Sequence, residues 1–578
     1  MEKTVPLIRF EHFSFRYRAQ KMPTLVDINL SIYPGEKVLV VGPSGSGKST
    51  LAYCINGLIP FSYRGESTGC LWVAGVETKL NSLFNLSKIV GTVLQDSDGQ
   101  FVGLTAAEDI AFSLENDCVP QPEMIDRVQR TAFDVGVRDQ LGQSPYTLSG
   151  GQKQRVSMAG VLIDRVQILL FDEPLANLDP ATGKQAMELI DRIIDAEHTT
   201  AIVIEHRLED VLHRKVDRIV LIDEGRIVAD MPPAQFLCGN LLKRSGIREP
   251  LYLEALRYAG VRVTPRMRPT GVDTLTLSDE DGARVRKWIA STTPVSKPSA
   301  SKALLTADNI HFSYEAGKPV LHNIRFSIRQ GEMVAIVGAN GAGKSTLAKL
   351  ICGFEKPSTG RILFNDMDLA TQSIAERAAH IGFVMQNPNQ MISKPMVFDE
   401  VALGLACRSV NPDIIRRRVE EALHTCGLYP FRNWPISALS FGQKKRVTIA
   451  SVLVMQPEII ILDEPTAGQD YRHYTEIMRF ITSLNRLGVT VLMITHDMHL
   501  MLEYATRALV FADGKLIADQ DTAKVLTNPK LAEEASLKAT SLFSLAQIVG
   551  IEDATALVQR FIEREQRDKA NEQEHIAE

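Results

Sequence analysis

A glycine-rich stretch occurs twice in this 578-residue chain, and this repeat constrains the fold more than any other feature. Residues 42–50 read GPSGSGKST, and residues 338–346 read GANGAGKST, so the second copy lies 338 − 42 = 296 residues further along the chain. Other paired motifs follow each copy in the same order. The chain therefore contains a long duplication, and we expect its two halves to share one fold.

Each copy has the order of elements that a parallel α/β core requires. A short apolar strand precedes the glycine-rich stretch, a helical pattern follows it, and strands alternate with helices after a helical insertion. The motifs are spaced more widely in the first copy, which predicts a small insertion around residues 60–67. The predicted domains are 5–240 and 303–530, joined by a helical segment and Ser/Pro linker at 241–302 and followed by a charged helical tail at 531–578. Alternating charges at 560–578 predict a solvated helix or a frayed end there.

The composition is that of a globular protein, with 45% apolar and 23% charged residues. A formal net charge of -5 provides no broad basic field for nucleic acid or anionic lipid. The apolar runs stop far short of the roughly 18 residues that a membrane span needs, so we expect membrane contact only through a partner. The chain starts without an export signal pattern, and its cysteines have no CxxC spacing, which favours buried, reduced thiols.

The repeated stretch is a candidate phosphate-binding loop. Its glycines allow close backbone approach, its amides and the following helix N-terminus face the anion, its lysine reaches the β- and γ-phosphates, and its last serine holds Mg²⁺. A chance glycine turn is the alternative for one copy but is negligible for two copies in register. The candidate residues are Gly42, Pro43, Ser44, Gly45, Ser46, Gly47, Lys48, Ser49 and Thr50, and Gly338, Ala339, Asn340, Gly341, Ala342, Gly343, Lys344, Ser345 and Thr346.

An apolar strand in each copy ends in an acidic pair. Asp172 and Asp463 end these strands, where a carboxylate is suited to Mg²⁺. The following residues, Glu173 and Glu464, are placed to polarise the attacking water. Asp-Glu-Pro by itself is often an ordinary acidic turn, but its occurrence about 120 residues after both phosphate loops favours the catalytic interpretation.

A second anion-binding pattern begins a helix in each copy, with a serine and glycine amides at the helix N-terminus. One domain does not need two sites for one phosphate, so this pattern is predicted to close over a nucleotide held by another domain. Here the sequence strongly resembles the ABC ATPase superfamily, whose signature is this motif. Phe441 replaces the first glycine in the second copy, which puts equal turnover of the two sites in doubt. The signature residues are Ser149, Gly150, Gly151, Gln152, Ser440, Gly442 and Gln443.

The resemblance covers nearly all of both copies. It implies two tandem nucleotide-binding domains, each with a RecA-like parallel α/β core, an inserted helical subdomain and an N-terminal antiparallel β-subdomain, with ATP and Mg²⁺ as cofactors. A lone histidine after a strand is more often a packed core residue, and a tyrosine at a strand end is often merely exposed. Here both residues occur at matching positions in the two copies, which favours a functional role. The family's coupling and Mg²⁺-binding glutamine matches Gln95 and Gln386, its D-loop aspartate Asp179 and Asp470, its switch histidine His206 and His496, and its adenine-stacking aromatic Tyr17 and Tyr314.

Local sequence narrows the class within this superfamily. Five short segments resemble the energy-coupling factor importers: residues 56–60, 96–105 and 108–112 in the first copy, and 386–390 and 399–402 in the second. This resemblance implies a peripheral ATPase on the cytoplasmic face of the cell membrane, whose two halves pair head to tail. It also implies a transmembrane scaffold partner and a separate substrate-binding membrane subunit, with a vitamin, vitamin precursor or metal ion as cargo. No residue of this chain is expected to touch that cargo, so the cargo stays open.

Other tandem cassettes fit less well. Sugar importers with fused cassettes typically have a degraded second phosphate loop, whereas the loop at 338–346 is intact. Repair proteins would show zinc-ligand cysteine pairs. Translation factors usually carry a long, highly charged helical linker, and this linker ends in serine and proline. A soluble tandem ATPase that acts on the ribosome is the remaining alternative.

Overall fold

The chain forms two compact units, one ending at Ser278 and the other beginning at Asp279. A computed structural model describes residues 5–94, 98–175, 178–197, 199–290, 302–315, 317–466, 469 and 471–577. Among these residues, no helix combines the length and the apolar character that crossing a membrane requires.

Two β-sheets form the framework of the first unit. Its strands are β1 (Ile8–Tyr17), β2 (Leu25–Ile32), β3 (Lys37–Val41), β4 (Gly65–Val73), β5 (Val76–Glu77), β6 (Val90–Val93), β7 (Ile168–Asp172), β8 (Thr200–Ile204), β9 (Arg218–Asp223) and β10 (Arg226–Met231). An antiparallel sheet has the order β2-β1-β4-β5. The second sheet has the order β10-β9-β3-β8-β7-β6 and is parallel except for the β9–β10 pair.

The burial of these strands follows from their position. Strands β3, β7 and β8 are rich in Val, Ile and Leu and are buried along their whole length, as expected for the middle of a parallel sheet covered on both faces. Strand β1 mixes buried and exposed residues because one face of its sheet packs on the core. The carboxyl ends of β3 and β7 lie at one edge of the parallel sheet, and this edge carries the candidate site.

Helices cover the parallel sheet and form the inserted subdomain. They are α1 (Lys48–Ile55), α2 (Leu58–Phe61), α3 (Leu83–Ser87), α4 (Ala106–Asn116), α5 (Gln121–Val135), α6 (Gly150–Leu162), α7 (Pro180–Glu197), α8 (Leu208–Val211), α9 (Pro233–Cys238), α10 (Leu241–Arg244) and α11 (Leu251–Tyr258). Helices α4, α5 and α6 pack together as the inserted subdomain. A capping box between Thr105 and Glu108 begins α4, which satisfies amides that would otherwise be unpaired.

The second unit repeats this arrangement after one helix of its own, α12 (Asp279–Ala290). Its strands are β11 (Ala303–Glu315), β12 (Lys318–Arg329), β13 (Met333–Gly338), β14 (Thr359–Phe364), β15 (Met367–Asp368), β16 (Ile381–Val384), β17 (Ile459–Asp463), β18 (Thr490–Ile494), β19 (Arg507–Ala512) and β20 (Lys515–Asp521). They form an antiparallel sheet, β12-β11-β14-β15, and a second sheet, β16-β17-β18-β13-β19-β20, which is parallel except for β19–β20.

The helices of the second unit follow the same plan and add a tail. They are α13 (Lys344–Cys352), α14 (Ile374–Arg377), α15 (Val397–Ala406), α16 (Pro412–Thr425), α17 (Phe441–Leu453), α18 (Tyr471–Arg486), α19 (Met498–Tyr504), α20 (Thr522–Leu526), α21 (Pro529–Glu534), α22 (Ser541–Ile548) and α23 (Ala554–Ala577). The predicted fold, two α/β domains with antiparallel β-subdomains and helical insertions, is therefore confirmed.

One local difference separates the two halves. The first unit has the extra helical turn α2 between α1 and β4, and β4 is longer than its counterpart β14. This confirms the insertion predicted around residues 60–67.

The predicted connecting segment divides between the two units. Residues up to Ser278 belong to the first unit, where the buried Tyr252 hydroxyl donates to the carbonyl oxygen of Pro269 at 2.7 Å. Helix α12 belongs to the second unit, where Arg286 donates to the carbonyl oxygen of Val549 at 2.8 Å. The Ser/Pro stretch at 291–301 lies outside the described residues.

The charged tail is helical, as predicted, but its first half is not a solvated helix. Leu557, Val558 and Phe561 of α23 are fully buried, and the chain of α23 packs on α22, α19 and α20. The guanidinium of Arg560 lies 5.9 Å from the ring centroid of Trp288 in α12. The prediction failed here because it weighed the charges of the tail and not the apolar stripe that these charges flank.

Candidate active site

The first phosphate loop joins β3 to α1, and all of residues 42–50 lie in this strand–loop–helix turn. The Nζ of Lys48 donates to the carbonyl oxygens of Gly42 at 2.9 Å and Pro43 at 2.8 Å, so the side chain folds back over the loop. A Cβ atom on Gly42 would lie 2.0 Å from the carbonyl oxygen of Ile222. Glycine is therefore required at this position to let two stretches of backbone approach each other.

The second phosphate loop, between β13 and α13, repeats this geometry. The Nζ of Lys344 donates to the carbonyl oxygens of Gly338 at 2.8 Å and Ala339 at 2.7 Å. A Cβ atom on Gly338 would lie 2.1 Å from the carbonyl oxygen of Phe511. The two loops are thus equivalent in backbone shape as well as in sequence.

These loops fit a triphosphate. In the first loop the Ser46 hydroxyl is buried, and no hydrogen-bond partner for it is found among the described residues. A hydroxyl in this condition is costly to bury unless it is satisfied by a group from outside the chain. A phosphate oxygen can accept from such a hydroxyl, and the loop amides at the start of α1 favour negative charge.

A serine and an aspartate meet beside each phosphate loop. The Oγ of Ser49 donates to Oδ1 of Asp172 at 3.3 Å, and the Oγ of Ser345 donates to Oδ2 of Asp463 at 3.1 Å. Burial raises the pKa of the Asp172 carboxyl to about 6, and the neighbouring charge of Glu173 adds to the rise. Burial likewise raises the pKa of Asp463.

This pair of oxygen ligands fits Mg²⁺ bound together with a nucleotide. Mg²⁺ is usually held by one or two side-chain oxygens, with phosphate and water oxygens as its other ligands. Within the described parts of the chain, no cluster of three or more His, Cys, Asp or Glu side chains is arranged to hold a metal ion. A hydroxyl and a carboxylate are sufficient only if the nucleotide supplies the remaining ligands.

In each unit a histidine side chain contacts the glutamate that follows this aspartate. The Nε2 of His206 lies 2.5 Å from Oε1 of Glu173, and the Nδ1 of His496 lies 2.7 Å from Oε1 of Glu464. Burial by itself would lower the pKa of His206, but the hydrogen bond and charge of Glu173 outweigh it and raise that pKa. Burial by itself would raise the pKa of Glu173, but the hydrogen bond and charge of His206, together with the charges of Lys48 and Arg207, outweigh it and lower that pKa. The side chains of His206 and Glu173 therefore form an ion pair.

Both glutamates lie in a strained part of the backbone. Glu173 has a φ of 51° and Glu464 a φ of 45°, in the left-handed region that non-glycine residues rarely adopt. Such strain persists where the surrounding structure enforces it, and it is concentrated at functional sites. The two neighbouring carboxylates accordingly have different partners, because Asp172 contacts Ser49 and Glu173 contacts His206.

The signature residues begin the helices α6 and α17. Ser149 and Gln152 form a capping box in which Gln152 Oε1 accepts from the Ser149 amide at 2.9 Å, and Ser440 and Gln443 form the same box. Phe441 is the first residue of α17 and its side chain is 44% exposed. The exchange of glycine for phenylalanine therefore leaves the cap intact and adds an exposed ring to the predicted anion site.

A family model described as ABC transporter matches residues 25–176 and 321–467, which include both phosphate loops and both acidic pairs. The chain belongs to the ABC transporter family. It is an ATP-binding ATPase with two nucleotide-binding domains on one polypeptide. A second model, described as ATP-binding cassette cobalt transporter, matches residues 239–312, between the two domains.

Relatives of this ABC transporter protein resemble it from end to end. It is 56% identical over 557 residues to a protein named as an ABC transporter ATP-binding protein of Clostridium perfringens, covering 96% of this chain and 98% of the relative. A protein of the same name from Enterococcus faecalis is 56% identical over 560 residues, covering 96% of this chain and 98% of the relative. The solved structure of cbiO1 from Clostridium perfringens, part of the ABC transporter complex cbiONQ, is 36% identical, covers 40% of this chain and 94% of that one, and has a TM-score of 0.38.

The remaining predicted residues of this ABC protein are only partly described. Gln95 and Asp470 lie outside the described residues. Asp179 accepts from the amide and the hydroxyl of Thr182, at 2.9 and 3.0 Å, at the start of α7. The Tyr17 and Tyr314 hydroxyls lie 3.1 and 3.3 Å from the hydroxyls of Thr50 and Thr346, which directly follow the serines predicted to bind Mg²⁺.

Sequence reasoning missed a buried lysine beside Gln386. The Nζ of Lys445 donates to the carbonyl oxygens of Met385 at 2.9 Å and Gln386 at 2.7 Å. Burial lowers the pKa of Lys445 to about 8, although the charges of Asp463 and Glu464 oppose the shift. Lys445 therefore ties the signature helix α17 to the predicted coupling glutamine.

The first unit has a different residue at this place. Gln154 occupies the position of Lys445 in the signature helix, is buried, and donates its side-chain amide to the carbonyl oxygen of Pro174. The exchange of glutamine for lysine at equivalent positions of the two signature helices was the available sequence signal. It could not be interpreted without the fold, because the contacted carbonyl groups are about 60 residues away in the chain.

Proposed function

We propose that this ATPase energises a membrane importer of the energy-coupling factor type, with a vitamin, vitamin precursor or metal ion as cargo. The observation that carries the proposal is the match of residues 239–312 to a model described as ATP-binding cassette cobalt transporter. The sequence likeness of residues 96–105 and 386–390 to such importers supports it independently. The partners in this proposal are a transmembrane scaffold subunit and a separate substrate-binding membrane subunit, with the ATPase peripheral on the cytoplasmic face.

The phosphate loops bind and orient ATP for hydrolysis. Lys48 and Lys344 leave their loop carbonyls and bind the β- and γ-phosphates, which neutralises charge that the amides only partly balance. When bound, Mg²⁺ stabilises the charge that develops on the phosphates. In this proposal Ser49, Asp172 and Gln95 would hold it in the first unit, and Ser345, Asp463 and Gln386 in the second.

The glutamate that follows each aspartate acts on the attacking water. Glu173 or Glu464 accepts a proton from this water as its oxygen attacks the γ-phosphorus, and the bond between the γ-phosphorus and the bridging oxygen breaks. The products are ADP and inorganic phosphate. His206 and His496 hold the glutamates in position and interact with the γ-phosphate, so that each site responds to the presence of a triphosphate.

Each signature motif serves the nucleotide held by the other half in this proposal. A serine and glycine amides at a helix N-terminus form an anion site, and each half has such a site in addition to its own phosphate loop. Head-to-tail pairing would combine the first phosphate loop with Ser440 and Gly442, and the second with Ser149 and Gly151. The site completed by the Phe441 motif is expected to turn over more slowly.

The experiment is affinity purification of the chain from membranes of its own cells, followed by identification of the proteins that accompany it. The proposal predicts two kinds of integral membrane protein, a scaffold and a small substrate-binding protein. A catalytically intact chain that instead accompanies ribosomes would support the alternative, a tandem ATPase that acts in translation. In lipid flotation without partners, the chain alone is expected to stay unbound.

A further inference from the structure

The insertion of the first unit lies directly against the predicted base-binding tyrosine. Strand β4 extends back along β1 as far as a cross-strand pair between Tyr17 and Gly65. The amide of Arg18 donates to the carbonyl oxygen of Arg64 at 3.2 Å, and Arg16 forms an ion pair with Glu66 at 2.7 Å. The inserted residues are therefore part of the wall around Tyr17.

Three tyrosine rings line this wall. The rings of Tyr53 and Tyr63 are stacked, with centroids 5.2 Å apart and an interplanar angle of 17°. The ring of Tyr63 also meets that of Tyr17 nearly at a right angle, with centroids 6.3 Å apart. Tyr63 is 44% exposed, so it has surface available for a ligand.

This aromatic wall is continuous with the nucleotide site. The Tyr17 hydroxyl lies 3.1 Å from that of Thr50, the last residue of the phosphate loop. Tyr53 follows Thr50 by one turn of α1, so the two lie on the same face of that helix. Burial raises the pKa of the Tyr53 hydroxyl, and the carboxylate of Asp172 adds to the rise. Tyr53 thus lies between the base side and the phosphate side of the site.

The second unit differs from the first in the strand pairing and the residues around its equivalent tyrosine, Tyr314. The pairing of β11 with β14 ends at His311 and Thr359, before it reaches Tyr314. Tyr314 is 51% exposed. Lys349 occupies the position of Tyr53 in the helix that follows the loop, and its Nζ lies 5.9 Å from the centroid of the Tyr314 ring. Among the described residues, Tyr314 with the cation of Lys349 beside it takes the place of the aromatic wall.

We propose that Tyr17, Tyr53 and Tyr63 form an aromatic subsite for the adenine base, and that the first unit consequently binds ATP more tightly than the second. The inference rests on the proposed function as an ATPase, and on the family resemblance that assigns Tyr17 to the adenine base. Stacking of a base on aromatic side chains contributes favourably whatever the base, because every base has a π-face. The inserted residues therefore raise the affinity of one site for ATP, and they do so by contacting the base and not the phosphates.

The test compares ATP with inorganic tripolyphosphate, which has no base. Binding of each is measured by calorimetry on the full chain carrying Lys344→Ala, which removes the phosphate contact of the second loop. Adding Tyr63→Ala is expected to weaken ATP binding about tenfold, equivalent to about 1.4 kcal/mol, and to leave tripolyphosphate binding unchanged. Tyr63→Phe keeps the ring and is expected to bind ATP like its parent.

Two controls locate the effect. In the full chain carrying Lys48→Ala, the second loop remains intact, so Tyr63→Ala is expected to leave ATP binding unchanged. Phe354→Ala removes an exposed ring near the end of α13 in the second unit. In the Lys344→Ala chain it is expected to change neither ATP binding nor tripolyphosphate binding. These controls separate loss of the base subsite from general damage to the protein.

Two results would overturn the inference. If Tyr63→Ala weakened ATP binding and tripolyphosphate binding equally, Tyr63 would stabilise the phosphate loop and would not contact the base. An unchanged ATP affinity would mean that Tyr63 does not touch the nucleotide. In either case the parent chain still binds ATP and tripolyphosphate; if the parent binds neither ligand, it is the proposed function that fails.

Discussion

The Nε2 atom of His206 lies 2.5 Å from Oε1 of Glu173, whereas the equivalent His496 reaches its glutamate through Nδ1. The two ring nitrogens have different reach from the backbone, so the sites hold their glutamates in different ways. An asparagine amide reproduces the position of Nδ1, and a glutamine amide that of Nε2.

We therefore expect opposite rescue patterns for the two histidines. His206→Gln should retain about tenfold more ATPase activity than His206→Asn, and His496→Asn about tenfold more than His496→Gln, because one lost hydrogen bond to a charged group costs roughly 1.5 kcal/mol or more. Steady-state ATPase assays of the four variants measure this. The same order at both positions would mean that the difference in ring nitrogen has no functional consequence.

The two glutamates should each be required for turnover. Glu173→Gln and Glu464→Gln remove the proton acceptor while preserving size, and each should slow ATPase activity by about 10²-fold or more because general bases contribute on this scale. In the proposed head-to-tail pairing both halves close and open together, so one altered site should slow the whole protein. Glu123→Gln, on an exposed helix surface, is the matched control. Full activity in either glutamate variant would make that half a binding domain only.

The two phosphate-loop lysines should be jointly essential. Lys48→Ala combined with Lys344→Ala is expected to abolish measurable ATPase activity, because each loses a charge-assisted contact to phosphate that neutral groups do not replace. Lys215→Ala combined with Lys524→Ala changes the net charge equally at exposed positions and should keep wild-type turnover. Wild-type turnover in the first double variant would contradict the assignment of both loops.

The raised pKa of Asp172 predicts a pH-dependent cost to folding without nucleotide or Mg²⁺. Its pKa of about 6 in the folded protein lies above the ordinary value of 3.8, so the stabilising protonated form is lost as pH rises through about 6. Between pH 5 and 7.5 the free energy of unfolding of wild type should fall by about 1.4 kcal/mol relative to that of Asp172→Asn, which has no proton to lose at this position.

Thermal melts at the two pH values measure this difference. The melting temperature of Asp172→Asn minus that of wild type should be larger at pH 7.5 than at pH 5. Asp139→Asn, an exposed substitution, should follow wild type at both values. A difference that does not change with pH would show that Asp172 is ionised throughout this range.

Much of the candidate active site could be predicted because most of its residues belong to short contiguous motifs. The turn from β3 through Gly42 to Lys48 needs glycines at particular positions, so its shape is encoded locally. The pairing of Ser49 with Asp172 was predictable because parallel strands bring their carboxyl ends to the same edge of a sheet. The insertion at 60–67 was visible as a change in motif spacing between two copies of one fold.

The sequence by itself determined that the chain has two similar α/β domains and where each phosphate loop and acidic pair lies, because local backbone preferences and apolar strands are sufficient for that. Tertiary structure decided the ring nitrogen that each histidine presents, the bond from Lys445 to the Gln386 carbonyl, and the burial of Phe561 in the tail. It also stacked Tyr63 on Tyr53. Each of these contacts joins side chains to groups that are distant in the chain or depends on a rotamer choice, and packing of the whole domain selects among such alternatives.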